Sequence, residues 1–332
     1  MSIEVVDIRL FEARDFGPLL EAESSAWIST LRWDYAPSAR LIAACLADKR
    51  LPGYALVSDR RILGYCFFLY EGEKGLIGDL FVQPNSASKQ HALLLLENVI
   101  ATLKATPGLQ RVEAQLPHFG MEELEDYFRR QGFQIFLRRF MALRLDGRPM
   151  GRLLVNTLGS DDGMLSGMAE EEFLIDTWQR QYDDEAARLL YATYRGHVDA
   201  IINDQYRSVS GSARLIENIV HLRGCGDSLP EASRAAVHRG SRKLAGILAL
   251  SGVRPGTAHI PQVAVAKEFQ RRGLGLALME SSFCALERMG YREVSLTVTD
   301  DNRDAVRWYD RIGFETFRTF GAFVWNRPPE VN

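Results

Sequence analysis

The sequence predicts an α/β protein of two tandem domains, each a mixed, mostly antiparallel sheet flanked by helices. Three observations carry this. The apolar strand Val263-Ala264-Val265 leads into a Gln-x-x-Gly-x-Gly turn, Gln270 to Gly275, and the turn opens an amphipathic helix. Strand and helix patterns alternate through the second half of the chain. The first half carries a weaker copy of the second, about 180 residues upstream.

In that copy Asp126-Tyr127-Phe128-Arg129-Arg130-Gln131-Gly132-Phe133 aligns with Arg307-Trp308-Tyr309-Asp310-Arg311-Ile312-Gly313-Phe314. Ile77 to Val82 matches the strand Ile260 to Val265, and the helix around Ala92 to Ile100 matches the helix after Gly275. Gln90 and Ala92 then stand in place of Gly273 and Gly275, Met121 in place of Asn302, and Phe128 in place of Tyr309. Turn chemistry in Asp146-Gly147-Arg148-Pro149-Met150-Gly151 and in Gly159-Ser160-Asp161-Asp162-Gly163 sets a boundary between about 147 and 170. The expected domains are therefore 1–150 and 168–332.

Within the second half, Phe173 to Trp178 reads as a strand. Asp183-Asp184-Glu185 opens a helix through Tyr194, its acids placed where the helix dipole favours them. A second helix covers Ala213 to Leu222. Ala235 to Arg239 and Lys243 to Leu250 form a hairpin around Gly240-Ser241. His259 to Val265, Glu293 to Val298, Phe314 and Ala322 to Trp325 complete the sheet.

Composition bounds the function. The 332 residues are 46% hydrophobic and 25% charged, which is the balance of a soluble globular chain. A formal net charge of −3 supplies no bulk basic field for nucleic acid. No apolar run reaches the roughly 18 residues of a membrane span. Met1 to Asp7 has neither a basic nor an apolar segment of a secretory signal. Cys45, Cys66, Cys225 and Cys284 lie far apart, as expected for reduced thiols of a cytoplasmic protein rather than a metal site or disulfide framework.

The glycine turn carries the chemistry. A loop running into a helix N-terminus offers free backbone N–H groups at the positive end of the helix dipole, a site suited to a pyrophosphate. Glycines let the backbone approach the phosphates closely. Downstream come Asn302, then Asp304 to Phe314 with Tyr309 and the Gly-Phe pair. In this order the two segments resemble the GNAT acyltransferase superfamily, over roughly the last half of the chain.

The resemblance implies acetyl-CoA as co-substrate, no metal, and direct transfer of an acetyl group to an amine in a ternary complex. Gln270, Arg271, Arg272, Gly273, Leu274, Gly275 and Leu276 would hold the pyrophosphate through backbone N–H groups. Val263, Ala264 and Val265 would pair with the pantetheine arm like an added strand, and a backbone N–H near Val265 would hold the oxyanion. Tyr309 would protonate the departing thiolate, and its alternative is a core aromatic. Asn302 is a cofactor contact or the N-cap of the following helix. One branch of the family carries its base where this chain has Thr297, which takes no proton. Another carries it where this chain has His259, a side chain suited to proton transfer near neutral pH. The alternative for His259 is a strand-start histidine satisfied by its surroundings, beside a bulge or splay expected at Pro261. The loop with His197, Asp199, Asp204, Tyr206 and Arg207 would line the acceptor site, or is a solvated connector.

The layout of two such units with an altered first copy resembles mycothiol synthase. The first copy would keep its core and bind no acetyl-CoA. The acceptor would be a small-molecule amine or a peptide N-terminus. A mycothiol-synthase-like small precursor, a protein N-terminal acetyltransferase and a non-enzymatic acyl-CoA sensor remain as alternatives, with no nucleic-acid or membrane partner.

Overall fold

The computed structural model describes residues 3–85, 87–145, 171–222 and 224–329, and the chain divides into two compact units. The first comprises Met1–Arg138 with Arg318–Asn332, the second Arg139–Phe317. The two linker motifs expected near 146–163 fall outside the described residues. Among the described residues no helix is long and apolar enough to cross a membrane. Among the described residues no group of three or more His, Cys, Asp or Glu is placed to hold a metal ion.

In the first unit β1 (Ile3–Asp7) pairs with β2 (Gly53–Ser58), and β3 (Arg61–Glu71) and β4 (Lys74–Val82) continue the antiparallel run. β5 (Arg111–Gln115) lies parallel to β4. Helices α1 (Gly17–Ala26) and α2 (Ala36–Ala47) precede β2; α3 (Ser88–Ala105) crosses from β4 to β5, and α4 (Met121–Arg130) follows. Leucines and valines of α3 are buried with Leu56, Leu80 and Val112 on one face of the sheet. Phe16, Leu19 and Ile42 from the α1–α2 region are buried with Tyr65 and Phe81 on the other. Phe128, the counterpart of Tyr309, is fully buried and stacks on Phe323 with ring centroids 3.7 Å apart.

The second unit repeats this order. After β6 (Gln134–Arg144) come β7 (Phe173–Thr177), α5 (Asp183–Tyr194), the short α6 (Asp199–Ile202) and α7 (Val209–Ile216). Then follow β8 (Asp227–Ser228), β9 (Arg234–His238), β10 (Leu244–Arg254), β11 (Thr257–Val265), α8 (Leu274–Arg288), β12 (Glu293–Thr299), α9 (Arg303–Ile312) and β13 (Glu315–Asn326). β7, β9, β10 and β11 are antiparallel neighbours, and β11 runs parallel to β12. Phe283 and Leu286 of α8 pack with Val294, Leu296 and Ile312 on one sheet face. Leu189, Leu190 and Ile216 of α5 and α7 pack with Ile247 and Ala264 on the other.

The units do not follow the boundaries 1–150 and 168–332. From Arg139 onward β6 belongs to the second unit, where it neighbours β12. From Arg318 onward β13 belongs to the first, antiparallel to β5 through Ala322↔Gln115 to Asn326↔Arg111. Each unit thus takes its last strand from the other half of the sequence. Periodicity reports that a segment is a strand; which edge it pairs with is decided by long-range contacts.

The first unit buries a polar cluster. Tyr65 donates to the Glu23 carboxylate at 2.6 Å, and Tyr35 donates to Asp79, which also accepts the Leu80 N–H at 2.8 Å. Glu23 is wholly excluded from solvent. Burial, and then the neighbouring Asp79 carboxylate, hold its carboxyl well above the usual carboxylate range. A folded value above the unfolded one means that this contribution to stability is complete below the ordinary glutamate value of about 4.3. It is lost as pH rises towards the raised folded value. Glu23→Gln keeps an acceptor for Tyr65 and removes the titration. Hydrogen exchange of the α1 amides, followed against pH in wild type and variant, should show protection falling with rising pH only in wild type.

Candidate active site

β11 and β12 pair only from Thr257↔Glu293 to Ile260↔Leu296. Beyond that point no strand covers this side of β11 among the described residues. The register against β10 shifts between Ala249↔Gln262 and Ser251↔His259, so β11 holds one extra residue at Ile260-Pro261. Proline lacks the N–H that a ladder needs, and a bulge there re-aims the strand. The Ala266 N–H donates to the Ala245 carbonyl at 2.8 Å. By alternation, the backbone of Val263 and Val265 then faces the open side. Gln262 Nε2 reaches the Val263 carbonyl at 3.4 Å, and Gln270 Nε2 reaches the Val265 carbonyl at 3.0 Å. The side chain of Gln270 therefore ties the loop back to the strand.

The glycine turn follows this open edge. Arg271 has φ +62° and Gly273 φ +75°. Left-handed residues at this spacing make a concave row of N–H groups. Gly273 is the N-cap of α8, and no side chain caps the helix. Leu274 and Leu276 are buried in the core, so only their backbone serves the turn. A Cβ on Gly275 would stand 3.3 Å from the Trp308 ring. This glycine lets α8 pack closely against α9.

A cleft of about 1050 Å³ lies between the turn and α9, lined by Val265, Gln270, Arg271, Gly275, Arg307 and Trp308 among others. Asp304 carries Arg307 at 2.5 Å and Arg271 at 3.7 Å, so two guanidinium groups converge at its rim. Arg272 turns away, bonded to Glu172 at 2.7 Å and lying over the Phe269 ring. Its side chain does not line the cleft.

In the first unit the equivalent connection is filled. Five residues (83–87) join β4 to α3, against eight (266–273) between β11 and α8. Helix α3 therefore begins before Gln90 and Ala92, which are helix interior rather than replacements for the turn glycines. Asn85 accepts the Ala87 N–H at 2.8 Å, and Ser88 accepts the Asn85 N–H at 2.7 Å. Side chains there bond two N–H groups of the short connection, although α3 itself, like α8, has no side-chain cap.

Asn302 is the N-cap of α9: its side chain accepts from the Ala305 N–H at 3.4 Å, and it does not line the cleft. In the first unit Gly120, not Met121, holds the corresponding cap. Tyr309 sits on the inner face of α9 beside Trp308 and Phe314, and is buried. Burial first, then Tyr194 and Asp199, raise its hydroxyl above the ordinary phenol value. The neutral phenol therefore persists through the working pH range, ready to donate.

His259 is only 6% exposed and lies where β11 and β12 are still paired. Its Nδ1 is 2.9 Å from the Ser295 hydroxyl, and its ring is near Phe140. Ser295 donates to the Ala258 carbonyl at 3.2 Å, so it accepts from His259 Nδ1–H. Of the two readings of His259, proton carrier or strand histidine satisfied by its surroundings, this enclosed position fits the second. The strand pairing that extends to Ile260 covers it.

The connector from α5 to α7 joins loop residues expected at the acceptor site to Tyr194, Gln262 and Thr299, which the sequence left unassigned. Tyr206 donates to Gln262 Oε1 at 2.7 Å, and Gln262 Nε2 donates to the Tyr194 hydroxyl at 2.7 Å. Tyr194 and Tyr206 stack, with centroids 4.1 Å apart. Thr299 donates to Asp199, and His197 Nδ1 accepts the Asp199 N–H at 3.1 Å. Arg207 Nε donates to the Ala200 carbonyl at 2.7 Å and holds the turn together. Asp204 opens the short turn Asp204–Arg207. Of the five acceptor-side residues expected here, Tyr206 bonds Gln262, Asp199 bonds Thr299, and His197 joins through the Asp199 N–H. Gln262, beside the Pro261 bulge, was the available sequence signal for the others.

Residues 201–314 match the model of the GNAT acetyltransferase family. Over 73 residues the chain is 38% identical to a mycothiol acetyltransferase of Rhodococcus jostii (strain RHA1), covering 22% of this chain. The match spans about a quarter of that relative's length, 24%. Over 100 residues it is 26% identical to N-alpha-acetyltransferase 30 of Schizosaccharomyces pombe, covering 29% of this chain and 66% of that one. Two solved structures share the fold along nearly the whole chain, each at 16% identity. A GCN5-related N-acetyltransferase from Sphaerobacter thermophilus has TM-score 0.63, with 99% of this chain and 97% of that chain covered. A tandem GNAT protein from the clavulanic acid biosynthesis pathway has TM-score 0.60, with 99% and 100% covered. The turn, the splayed strands and the repeated unit agree with these likenesses: residues 201–314 match the GNAT acetyltransferase family, and the chain as a whole has the fold of these two structures.

Proposed function

We propose that the second unit is an acetyl-CoA-dependent N-acetyltransferase that transfers the acetyl group directly to an amine in a ternary complex. The observation that carries this is the join between the open edge of β11 and the uncapped turn at α8, with Tyr309 on the helix that forms the opposite wall. The backbone of Val263 and Val265 would take the pantetheine amides as an added strand. The N–H groups from Arg271 to Leu276, at the positive end of α8, would take the pyrophosphate. Tyr309 would give its proton to the leaving thiolate. A carboxamide left on the amine and a free CoA thiol are the products.

The unpaired thiols Cys45, Cys66, Cys225 and Cys284 support a reducing, cytoplasmic location. The likeness to mycothiol acetyltransferase, together with the tandem layout, favours a small-molecule acceptor over a protein N-terminus. Thiol release that depends on an added amine separates the enzyme from an acyl-CoA sensor, which would bind without turnover.

Isothermal titration with CoA should give one site per chain, because the shorter connection before α3 and its Asn85 and Ser88 bonds leave no second cradle. Gly275→Glu should reduce binding below detection, since its side chain meets Trp308 and adds negative charge beside the phosphates. Two equivalent sites in the wild type would contradict the assignment.

Tyr309→Phe keeps the ring contacts with Trp308 and Phe314 and removes one donor. The expected result is a fall in kcat of about 10-fold or more, with the KM for acetyl-CoA nearly unchanged. The raised hydroxyl value predicts no alkaline limb from Tyr309 within the working range. An unchanged kcat would assign protonation of the thiolate to solvent.

A further inference from the structure

We propose that the first unit holds a ligand site of its own, for a small organic ammonium ion that also carries a hydroxyl, formed by the Glu23 and Asp79 carboxyl groups with the rings of Trp27, Tyr35 and His118. It is independent of the reaction proposed for the second unit. The repeat points to the place. Asp79 and Gln262 each stand three residues before the end of their strands, β4 at Val82 and β11 at Val265. Trp27, at the end of α1, stacks on Tyr35, just before α2, with centroids 4.7 Å apart. Tyr194, at the end of α5, stacks likewise on Tyr206, before α7. In each unit the second ring donates its hydroxyl to the polar strand residue, Tyr35 to Asp79 and Tyr206 to Gln262. The first unit thus keeps this arrangement where it lacks the glycine turn. Its chemistry is different: a neutral amide is replaced by an acid, and a second acid, Glu23, lies beside it.

Glu23 supplies the evidence for a ligand. It is wholly excluded from solvent, and Tyr65 satisfies only its Oε2, at 2.6 Å. Among the described residues its Oε1 has no hydrogen-bond partner. Two more enclosed atoms of the cluster share that condition, Trp27 Nε1 and His118 Nε2. The Trp27 indole borders the Glu23 carboxyl group outside hydrogen-bond geometry. The His118 ring stands edge-on to Trp27, with centroids 5.0 Å apart, and lies in the field of Asp79. Native folds leave few buried polar atoms unpaired, and three in one cluster fit a site whose hydrogen bonds a ligand completes. Trp27 and His118 are half-buried, so the cluster reaches the surface on their side.

The three atoms select the ligand. Glu23 Oε1 takes a donor. The Trp27 N–H can only donate, so it needs an acceptor oxygen. His118 Nε2 serves either role, according to its tautomer. Burial holds the His118 ring below the usual histidine value, so it is neutral at neutral pH and brings no positive charge to the acids. The other titratable groups facing the pair are the Tyr35 and Tyr65 hydroxyls and the Cys66 thiol, all held neutral by burial. Arg318 is bonded to the Pro117 and His118 carbonyls. Burial and the Asp79 charge keep a proton on Glu23. An ammonium replaces that proton's charge and lets both acids ionise. Tryptophan and tyrosine faces attract an organic cation further, whereas a hard metal ion would need more oxygen ligands than the two acids and gain little from the rings.

The test uses the full chain with isotope-labelled tryptophan and reads its five indole N–H signals by NMR. Trp27→Phe assigns the Trp27 signal by its loss. Ethanolamine is the probe, ethylene glycol its neutral match, and magnesium chloride the control for charge alone. Ethanolamine should move the Trp27 signal to saturation in the millimolar range or below, and the two controls should leave it in place at equal concentration. Glu23→Gln and Asp79→Asn should each weaken ethanolamine by about tenfold or more, with the other indole signals reporting that the variant is folded. Should either variant unfold, the comparison of ethanolamine with ethylene glycol in the wild type decides. A Trp27 signal that ethanolamine does not move overturns the proposal and leaves the cluster as a structural acid pair sharing one proton. Equal shifts with ethylene glycol or magnesium chloride overturn it as well, as does undiminished binding by folded Glu23→Gln. Acetyl transfer in the second unit, present or absent, does not alter this result.

Discussion

The site depends on one constraint, the parting of β11 from β12 after Ile260. Two parallel strands in a sheet normally satisfy each other's backbone groups along their whole length. Here Pro261 has no N–H to contribute, and the extra residue in β11 re-aims the strand. The gap exposes the backbone of Val263 and Val265 on one wall and brings Thr297 and Thr299 to the other. It also sets Gln262 under the two tyrosines of the α5–α7 connector. Without the gap the turn at Gly273 would end a closed sheet, and a phosphate bound there would have no route for the rest of its molecule.

The first unit has the same scaffold with a different connection at this point. Its strands and helices follow the same order, and its core is as well filled. The changes are local. A connection three residues shorter starts α3 early, and Asn85 and Ser88 take up the N–H groups there. Phe128 replaces a hydroxyl with ring stacking on Phe323. Asp79, three residues before the end of β4 as Gln262 is before the end of β11, accepts from Tyr35 beside buried Glu23. Packing maintains the fold over many contacts, whereas ligand chemistry rests on a few atoms.

Much of this was legible beforehand. The helix predicted from Asp183 to Tyr194 is found with those bounds, and the hairpin around Gly240 is present. Acidic residues at one end and an apolar stripe along the length suffice for such elements. The helix expected over Ala213 to Leu222 instead ends at Ile216 and continues as a wider turn through His221. Site residues were harder. Asn302 was left open between cofactor contact and cap, and the structure shows it capping Ala305. Arg272 belongs to the motif, but its guanidinium pairs with Glu172, a hundred residues earlier. His259 was read from its position relative to the turn, and strand pairing encloses it.

The sequence by itself determined the element order, the repeat and the turn with its left-handed glycine. These follow from periodicity and from backbone sterics acting over a few residues. Only the tertiary structure decided which strand each unit receives as its last, because pairing energy is shared among distant segments that local pattern does not distinguish. It alone decided the Tyr194–Gln262–Tyr206 cluster and the Thr299–Asp199 contact, which join residues 56 to 100 positions apart. A hydrogen bond forms within about 3 Å, and where a side chain ends to that tolerance is set by the packed neighbours on every side of it.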